Sequence, residues 1–393
     1  MRLEQKSILA CGSRILIMEL PMRPELVEGR EMRRQLVEGP TAGASTSSAR
    51  SSSGPMLADH TTLRVGGPAR RMITVETEAE LVQAVRDLDA ASQPVLVLGG
   101  GSNLLISDAG FDGTVVKIAT RGFDQDTAAC SGAVITVAAG EPWDPLVRHT
   151  IEQGWSGLEA MSGIPGLVGA TPIQNVGAYG AEVSELISMV RTLDRSTGQL
   201  KTLFPVECGF GYRTSRIKSV PGRFVVLSVT FQLRLGSLSQ PIRYAELARV
   251  LGVAVGDRAP AADVRQAVLD LRNAKGMVLL EDDHDTWSVG SFFTNPIVSP
   301  AKALTLPAGA PRFSQPDGMV KTSAAWLIEQ AGFVRGYGHG AARLSGKHTL
   351  ALTNRGGATA GDLLSLAREI RSGVAARFGL ELVAEPVLVG CEL

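Results

Sequence analysis

The chain has 393 residues, enough for two or three packed domains. Its 39 Lys and Arg balance 39 Asp and Glu, so no net field draws in nucleic acid or an anionic membrane, and an anionic ligand has to be held by a local cluster of donors. Four scattered cysteines (Cys11, Cys130, Cys208, Cys391) and five histidines without ligand spacing argue against a zinc centre, a disulfide framework or metal catalysis, and fit a reduced, cytoplasmic compartment.

Residues 1–55 do not read as part of a fold. Ser and Thr crowd the stretch from Ser45 to Gly54, and Glu25-Leu26-Val27-Glu28-Gly29 is nearly repeated at Gln35-Leu36-Val37-Glu38-Gly39. Leu9-Ala10-Cys11 superficially matches a lipoprotein cleavage box, but only Ile8 and Leu9 precede it as strongly apolar residues, too few for a signal-peptide core. The expectation is a disordered or mis-annotated extension, with natural translation starting at Met56. No twenty-residue apolar run marks a transmembrane helix.

From residue 60 the pattern is α/β. Met72 to Val75 reads as a strand. Thr77-Glu78-Ala79-Glu80 is a capping box, after which Leu81, Val85 and Leu88 line one helix face. Pro94 to Leu98 is a continuous apolar run, the mark of a buried strand. Further strands are expected at Thr114 to Ile118 and Val134 to Ala138, then a helix from Asp144 to Gln153. Strand-like runs continue to Leu235, and helices are expected at 262–274 and Ala324 to Gln330. In the final helix Leu363, Leu366, Ile370, Val374 and Phe378 step by three and four, and Gly379 sits where a C-terminal cap belongs. A last strand is expected from Leu380 to Leu388, with Glu385 held extended by Pro386.

The 44 glycines point to tight turns and close backbone approach. Two passages concentrate that signal. Gly99-Gly100-Gly101-Ser102-Asn103 follows a strand and reads either as a phosphate cradle or as a flexible turn; it lacks the Lys-Ser/Thr of a P-loop and the spacing of a dinucleotide fingerprint. The second runs from Ile164-Pro165-Gly166 through Gly169-Ala170 to Gln174-Asn175-Val176-Gly177-Ala178-Tyr179-Gly180. Its polar side chains need partners if buried, and together the two loops favour a large cofactor. In WSVGSFFTNP, Ser291 is either a satisfied residue at a buried strand start or a hydroxyl kept dry for proton donation.

The ordered set HTTLRVGGPA (60–69), LGGGSNLL, GLEAMSGIPGLVGATPIQNVGAYG, GYRTS (211–215), GSFFTNP and AEP (384–386) resembles the UDP-N-acetylenolpyruvoylglucosamine reductase family, longer class, over residues 60 to the end. The resemblance implies an α+β fold: an FAD-binding fold of the vanillyl-alcohol-oxidase type, with two α/β subdomains at 56–122 (joined by 380–393) and 123–280, plus a substrate-binding domain at 281–379. It implies tightly bound FAD wrapped by the two glycine passages, NADPH as co-substrate and UDP-N-acetylglucosamine enolpyruvate as substrate. The implied chain is a cytoplasmic monomer of peptidoglycan synthesis, without nucleic acid or membrane partners.

The implied catalytic residues are Arg213, to stabilise an enolate-like intermediate with its permanent charge; Ser291, to protonate carbon, with Phe292 and Phe293 excluding water; and Glu385, which acts protonated or orients a water or the substrate. Tyr244, Lys275 and Asn295 match sugar-nucleotide contacts, with Lys347 and His348 nearby, and His60 and Arg64 belong to the opening motif. An oxidase on the same FAD architecture and a catalytically silent sugar-nucleotide binder are the competing readings.

Overall fold

The computed structural model describes residues 54–128 and 132–393. The expected N-terminal extension therefore lies, over 1–53, outside the described residues. Pro55 already belongs to the fold, since its carbonyl accepts from the Ala69 N–H at 2.9 Å.

The first layer is a parallel sheet built from β1 (Ala69–Val75), β2 (Val95–Leu98) and β4 (Phe111–Ile118), in the order β1-β4-β2. The apolar run of β2 pairs with β4, Leu96 opposite Val115. Between β1 and β2 runs α1 (Glu78–Ala90). Its capping box forms: Thr77 accepts from the Glu80 N–H at 3.2 Å, and Glu80 accepts from the Thr77 N–H. Leu81, Val82, Val85 and Leu88 are buried on one face. A short strand, β3 (Leu104–Ile106), follows the glycine loop.

The second layer is an antiparallel sheet. It contains β5 (Phe123–Ala128), β6 (Gly132–Ala138), β7 (Ile187–Asp194), β8 (Gln199–Leu203) and β9 (Phe224–Leu235), in the order β8-β7-β9-β6-β5. Phe231 opposite Ile135 and Val229 opposite Val190 fix its register. One apolar core joins this sheet to α1, to the ends of β1 and β4, and to α2 (Trp143–Glu152).

A separate core surrounds the final long helix. Helix α3 (Arg216–Ser219) and α4 (Ala261–Ala274) precede it, as does α5 (Ala324–Gln330). In α6 (Ala360–Phe378) Leu363, Leu366, Ile370, Val374 and Phe378 are all buried, and Gly379 closes the helix in the left-handed conformation. Phe292 and Phe293 sit in this core, against one another edge to face.

The expected strand from Leu380 to Leu388 is corrected. Only β10 (Val387–Val389) forms a ladder, parallel to β3. The preceding residues switch partners: Val383 accepts from the Thr294 N–H and the Glu385 N–H donates to Phe292, then Val387 donates to Asn103. Pro386, which has no N–H to give to either neighbour, stands at the switch. Glu385 is thereby fixed where the segment carrying Ser291 meets the glycine loop.

Among the described residues no helix is long and apolar enough to cross a membrane, and no cluster of three His, Cys, Asp or Glu could hold a metal ion. Cys208 and Cys391 are free thiols; Cys11 and Cys130 lie outside the described residues. The substitution Phe292→Ala removes a fully buried ring from the C-terminal core. It should cost about 3–5 kcal/mol, visible as a lower denaturation midpoint; an unchanged midpoint would show that this ring does not hold the segment of Ser291.

Candidate active site

The GGGSN loop leaves the C-terminal end of β2 and crosses the IPG turn at contact distance. A Cβ on Gly100 would lie 2.9 Å from the Gly166 Cα, and one on Gly101 would lie 2.0 Å from the His60 carbonyl oxygen. Two backbones can approach this closely only without side chains. The crossing forms one wall of a cavity lined by Gly99, Gly100, Gly101, Ser102, Asn103, Ile164, Pro165, Ala170, Gln174 and Gly177. Asn103 Nδ2 donates to Gln174 Oε1, tying the two glycine passages together.

Arg213, Glu385 and Ser291 line the same cavity. Arg213 sits at the tip of a tight hairpin, closed by hydrogen bonds between Gly211 and Thr214, and its φ of +53° is in the left-handed region. A non-glycine residue there is strained, and such strain concentrates at functional sites. Its Nε lies 3.2 Å from Glu385 Oε1, while Nη2 donates to the Gly177 carbonyl at 2.6 Å. Burial pushes the Glu385 carboxyl above the usual carboxylate range, opposed by the charges of Arg213 and Lys218.

Ser291 is one residue from Phe292, whose carbonyl accepts the Glu385 N–H at 2.9 Å. Among the described residues its hydroxyl makes no hydrogen bond, and it faces the cavity. The bland reading, a serine satisfied at a buried strand start, is therefore not what the structure shows. Phe292 and Phe293 do not line the cavity, contrary to the expected water-excluding role; they point into the C-terminal core and anchor the segment from behind.

Several expected cofactor contacts stand behind the wall. Gly166 meets Gly100, and a Cβ on Gly169 would lie 2.5 Å from that of Ala139. Asn175, at φ +50°, spends its amide within the protein: it donates to Glu182 Oε2 at 2.7 Å and to the Gly211 carbonyl, and accepts from the Ser184 N–H. Ala178 pairs with Ala181 across a two-residue turn made of Tyr179 and Gly180. None of these six residues lines the cavity.

Tyr179 instead stacks edge-on against Tyr244 at 5.5 Å, under the Lys275 ammonium. Burial pushes its hydroxyl up to about 12. Lys275 is paired with Glu246 at 2.6 Å, so Tyr244 and Lys275 form a cluster outside the cavity lining. Asn295 accepts from the Ala324 N–H at the start of α5, and its own N–H reaches the Tyr212 hydroxyl at 3.4 Å. Lys347 pairs with Asp283, and burial, reinforced by Lys275, lowers His348 to about 4. His60 contacts Lys117, and Arg64 lies over the Trp287 ring.

Sequence reasoning missed several lining residues, among them Thr62, Ser288, Lys218 and Arg272. Arg272 stands in the last turn of α4, three residues before Lys275, where a charge is ordinarily solvated. In the structure it is half-buried, Nη2 donates to the Met277 carbonyl at 2.7 Å, and Nε is enclosed without a partner among the described residues. A desolvated guanidinium with an idle donor calls for an acceptor from a ligand.

Comparison with known proteins gives the family. Residues 69–203 match the model of an FAD binding domain, and residues 282–389 match that of the UDP-N-acetylenolpyruvoylglucosamine reductase C-terminal domain. The reductase of Cutibacterium acnes is 56% identical over 340 residues, 86% of this chain and 90% of that protein. That of Streptomyces avermitilis is 54% identical over 348 residues, covering 86% and 94%.

The chain belongs to the UDP-N-acetylenolpyruvoylglucosamine reductase family. The crystal structure of the Thermus caldophilus reductase superposes with a TM-score of 0.59 at 28% identity, covering 85% of this chain and 97% of that one. The α+β fold, an FAD-binding domain followed by the C-terminal domain of these reductases, is the one the resemblance implied. This reductase-family chain is thus an FAD-dependent oxidoreductase.

The residues present fit FAD: both glycine passages line one cavity, and Arg272 offers an unused donor there. Gly100→Ala should force the loops apart and lower the FAD retained through purification, read as the ratio of flavin to protein absorbance. Full flavin content in that variant would contradict the loop crossing.

Proposed function

We propose that the protein is the NADPH-dependent reductase that converts UDP-N-acetylglucosamine enolpyruvate to UDP-N-acetylmuramate, a peptidoglycan precursor. The observation that carries this reading is the convergence of Arg213, Glu385 and Ser291 on the cavity walled by the two glycine loops. In this reading 56–122 with 380–393, and 123–280, form the FAD-binding subdomains, and 281–379 the substrate domain. The protein would work in the cytoplasm as a monomer, with FAD held by the glycine passages and Arg272.

FAD, when bound, would supply the redox chemistry that couples oxidation of NADPH to reduction of the enolpyruvyl double bond. The chain must then manage the charge and the proton. Arg213 uses all three guanidinium nitrogens, on Glu385, Asn175 and Gly177, and keeps one further N–H on each terminal nitrogen for a substrate carboxylate. A fixed cation beside the carbon that gains charge stabilises the enolate without reorganisation.

Ser291 holds the proton. A hydroxyl is a weak acid, but an enolate of a carboxylate is a strong base, so geometry decides whether transfer occurs. Its hydroxyl is free of protein acceptors among the described residues and is positioned by the Phe292 backbone contact with Glu385. Glu385, pushed by burial toward its neutral form, can stand next to developing negative charge without repelling it. Tyr244, Lys275 and Asn295 would meet the UDP-sugar, Lys275 by exchanging Glu246 for a phosphate.

Ser291→Ala should leave flavin reduction by NADPH near normal and slow reoxidation by the enolpyruvyl substrate roughly 10²–10⁴-fold. Equal loss of both half-reactions in stopped-flow absorbance would assign Ser291 a structural role. If the neutral carboxyl is the working form, reoxidation falls as pH rises through the raised pKa of Glu385. Glu385→Gln, always neutral, should lack that alkaline limb; a limb retained unchanged would belong to another group.

A further inference from the structure

Lys218 lies five residues beyond Arg213, in a short helix that the functional reading leaves without a task. Ser215 starts that helix: its buried hydroxyl donates to the Ile173 carbonyl at 2.5 Å and accepts the Lys218 N–H at 3.2 Å. The chain therefore folds back, and the Lys218 ammonium reaches two backbone carbonyls, that of Arg213 and that of Glu385, each at 3.2 Å. These two residues are 172 positions apart in sequence (385 − 213).

We propose that Lys218 is the positioning residue that registers Arg213 against Glu385 and, through its charge, sets the protonation state of the Glu385 carboxyl. This rests on the functional reading above and deepens it. Among the described residues no other hydrogen-bond donor bridges these two backbones. Arg213 is in a strained left-handed conformation at a hairpin tip, and Glu385 is at the point where its segment changes strand partners. One ammonium, with donors to spare, bridges both.

Among the described residues the charges that bear on Glu385 are those of Arg213 and Lys218, both on the 211–219 segment. The Asn103 amide, at 3.4 Å from the Glu385 carbonyl, is neutral. Tyr212 faces the same region, its hydroxyl pushed up chiefly by burial. Lys218 is itself half-buried, which lowers its pKa, and lines the cavity. Removing its charge leaves Arg213 as the only cation opposing the desolvation of Glu385, so the carboxyl's pKa rises further.

The test compares Lys218→Met, Lys218→Gln and Lys218→Arg with wild type on the flavin-loaded enzyme. Two readouts are taken: the anaerobic half-reactions, and the infrared C=O stretch of the Glu385 carboxyl, identified by its loss in Glu385→Gln and titrated without substrate. Lys218→Met should slow reoxidation by the enolpyruvyl substrate roughly 100-fold, the size expected for a small misplacement of catalytic groups. It should leave reduction by NADPH near wild type and move the carboxyl titration to higher pH. Lys218→Gln, which keeps donors without charge, should move the titration as far while losing less rate; Lys218→Arg should restore the titration.

An unmoved titration in both neutral variants would overturn the proposal. So would a loss of flavin and of both half-reactions in step, which would make Lys218 merely structural. A wild-type flavin that the enolpyruvyl substrate does not reoxidise would instead sink the functional reading. The infrared titration, read without substrate, keeps the two failures apart.

Discussion

The close contact between the Arg213 guanidinium and the Glu385 carboxyl is the constraint on which the site depends. Both side chains are largely withdrawn from water, so neither polar group is tolerable without partners that satisfy it. The fold supplies those partners from three separate stretches. The hairpin at 211–214 projects the guanidinium, the Gly177 carbonyl accepts from it, and the 383–387 segment delivers the carboxyl. Because the Glu385 N–H is bound by the Phe292 carbonyl, the same pair fixes the serine one residue earlier. A change in the Arg213 backbone would therefore be felt at Ser291.

The cofactor wall works on a different principle. It is made by excluding side chains, since Gly100 and Gly101 permit backbone contacts that no other residue allows. Much of the IPG…GAYG passage serves that construction from behind. Asn175, Gly166 and Gly169 hold the loop in shape, and the cavity is touched by their neighbours. Polar residues in a glycine-rich motif are thus divided between building the wall and facing the ligand.

The sequence made local features legible because their causes are local. The Thr77–Glu80 capping box, the buried stripe of α6 and the Gly379 cap all depend on residues within a few positions of one another. The Leu380–Leu388 strand was over-read, because extended geometry before Pro386 does not reveal that the hydrogen-bond partner changes there. Phe292 and Phe293 beside a cavity serine suggested a water shield; only tertiary packing shows them turned into the core. Lys218 and Arg272 were invisible for the same reason. A lysine or arginine at a helix end is ordinarily solvated, and nothing within a few residues announces its burial. The one usable signal was Ser215, whose place as an N-cap implies a short turn that folds Lys218 back toward Arg213.

The most direct test of the central claim is anaerobic. The bound flavin is bleached with NADPH, UDP-N-acetylglucosamine enolpyruvate is added, and the flavin absorbance is followed. The account predicts prompt return of the absorbance with UDP-N-acetylmuramate as the product. A flavin that stays bleached until air is admitted would contradict it and point to an oxidase built on the same architecture.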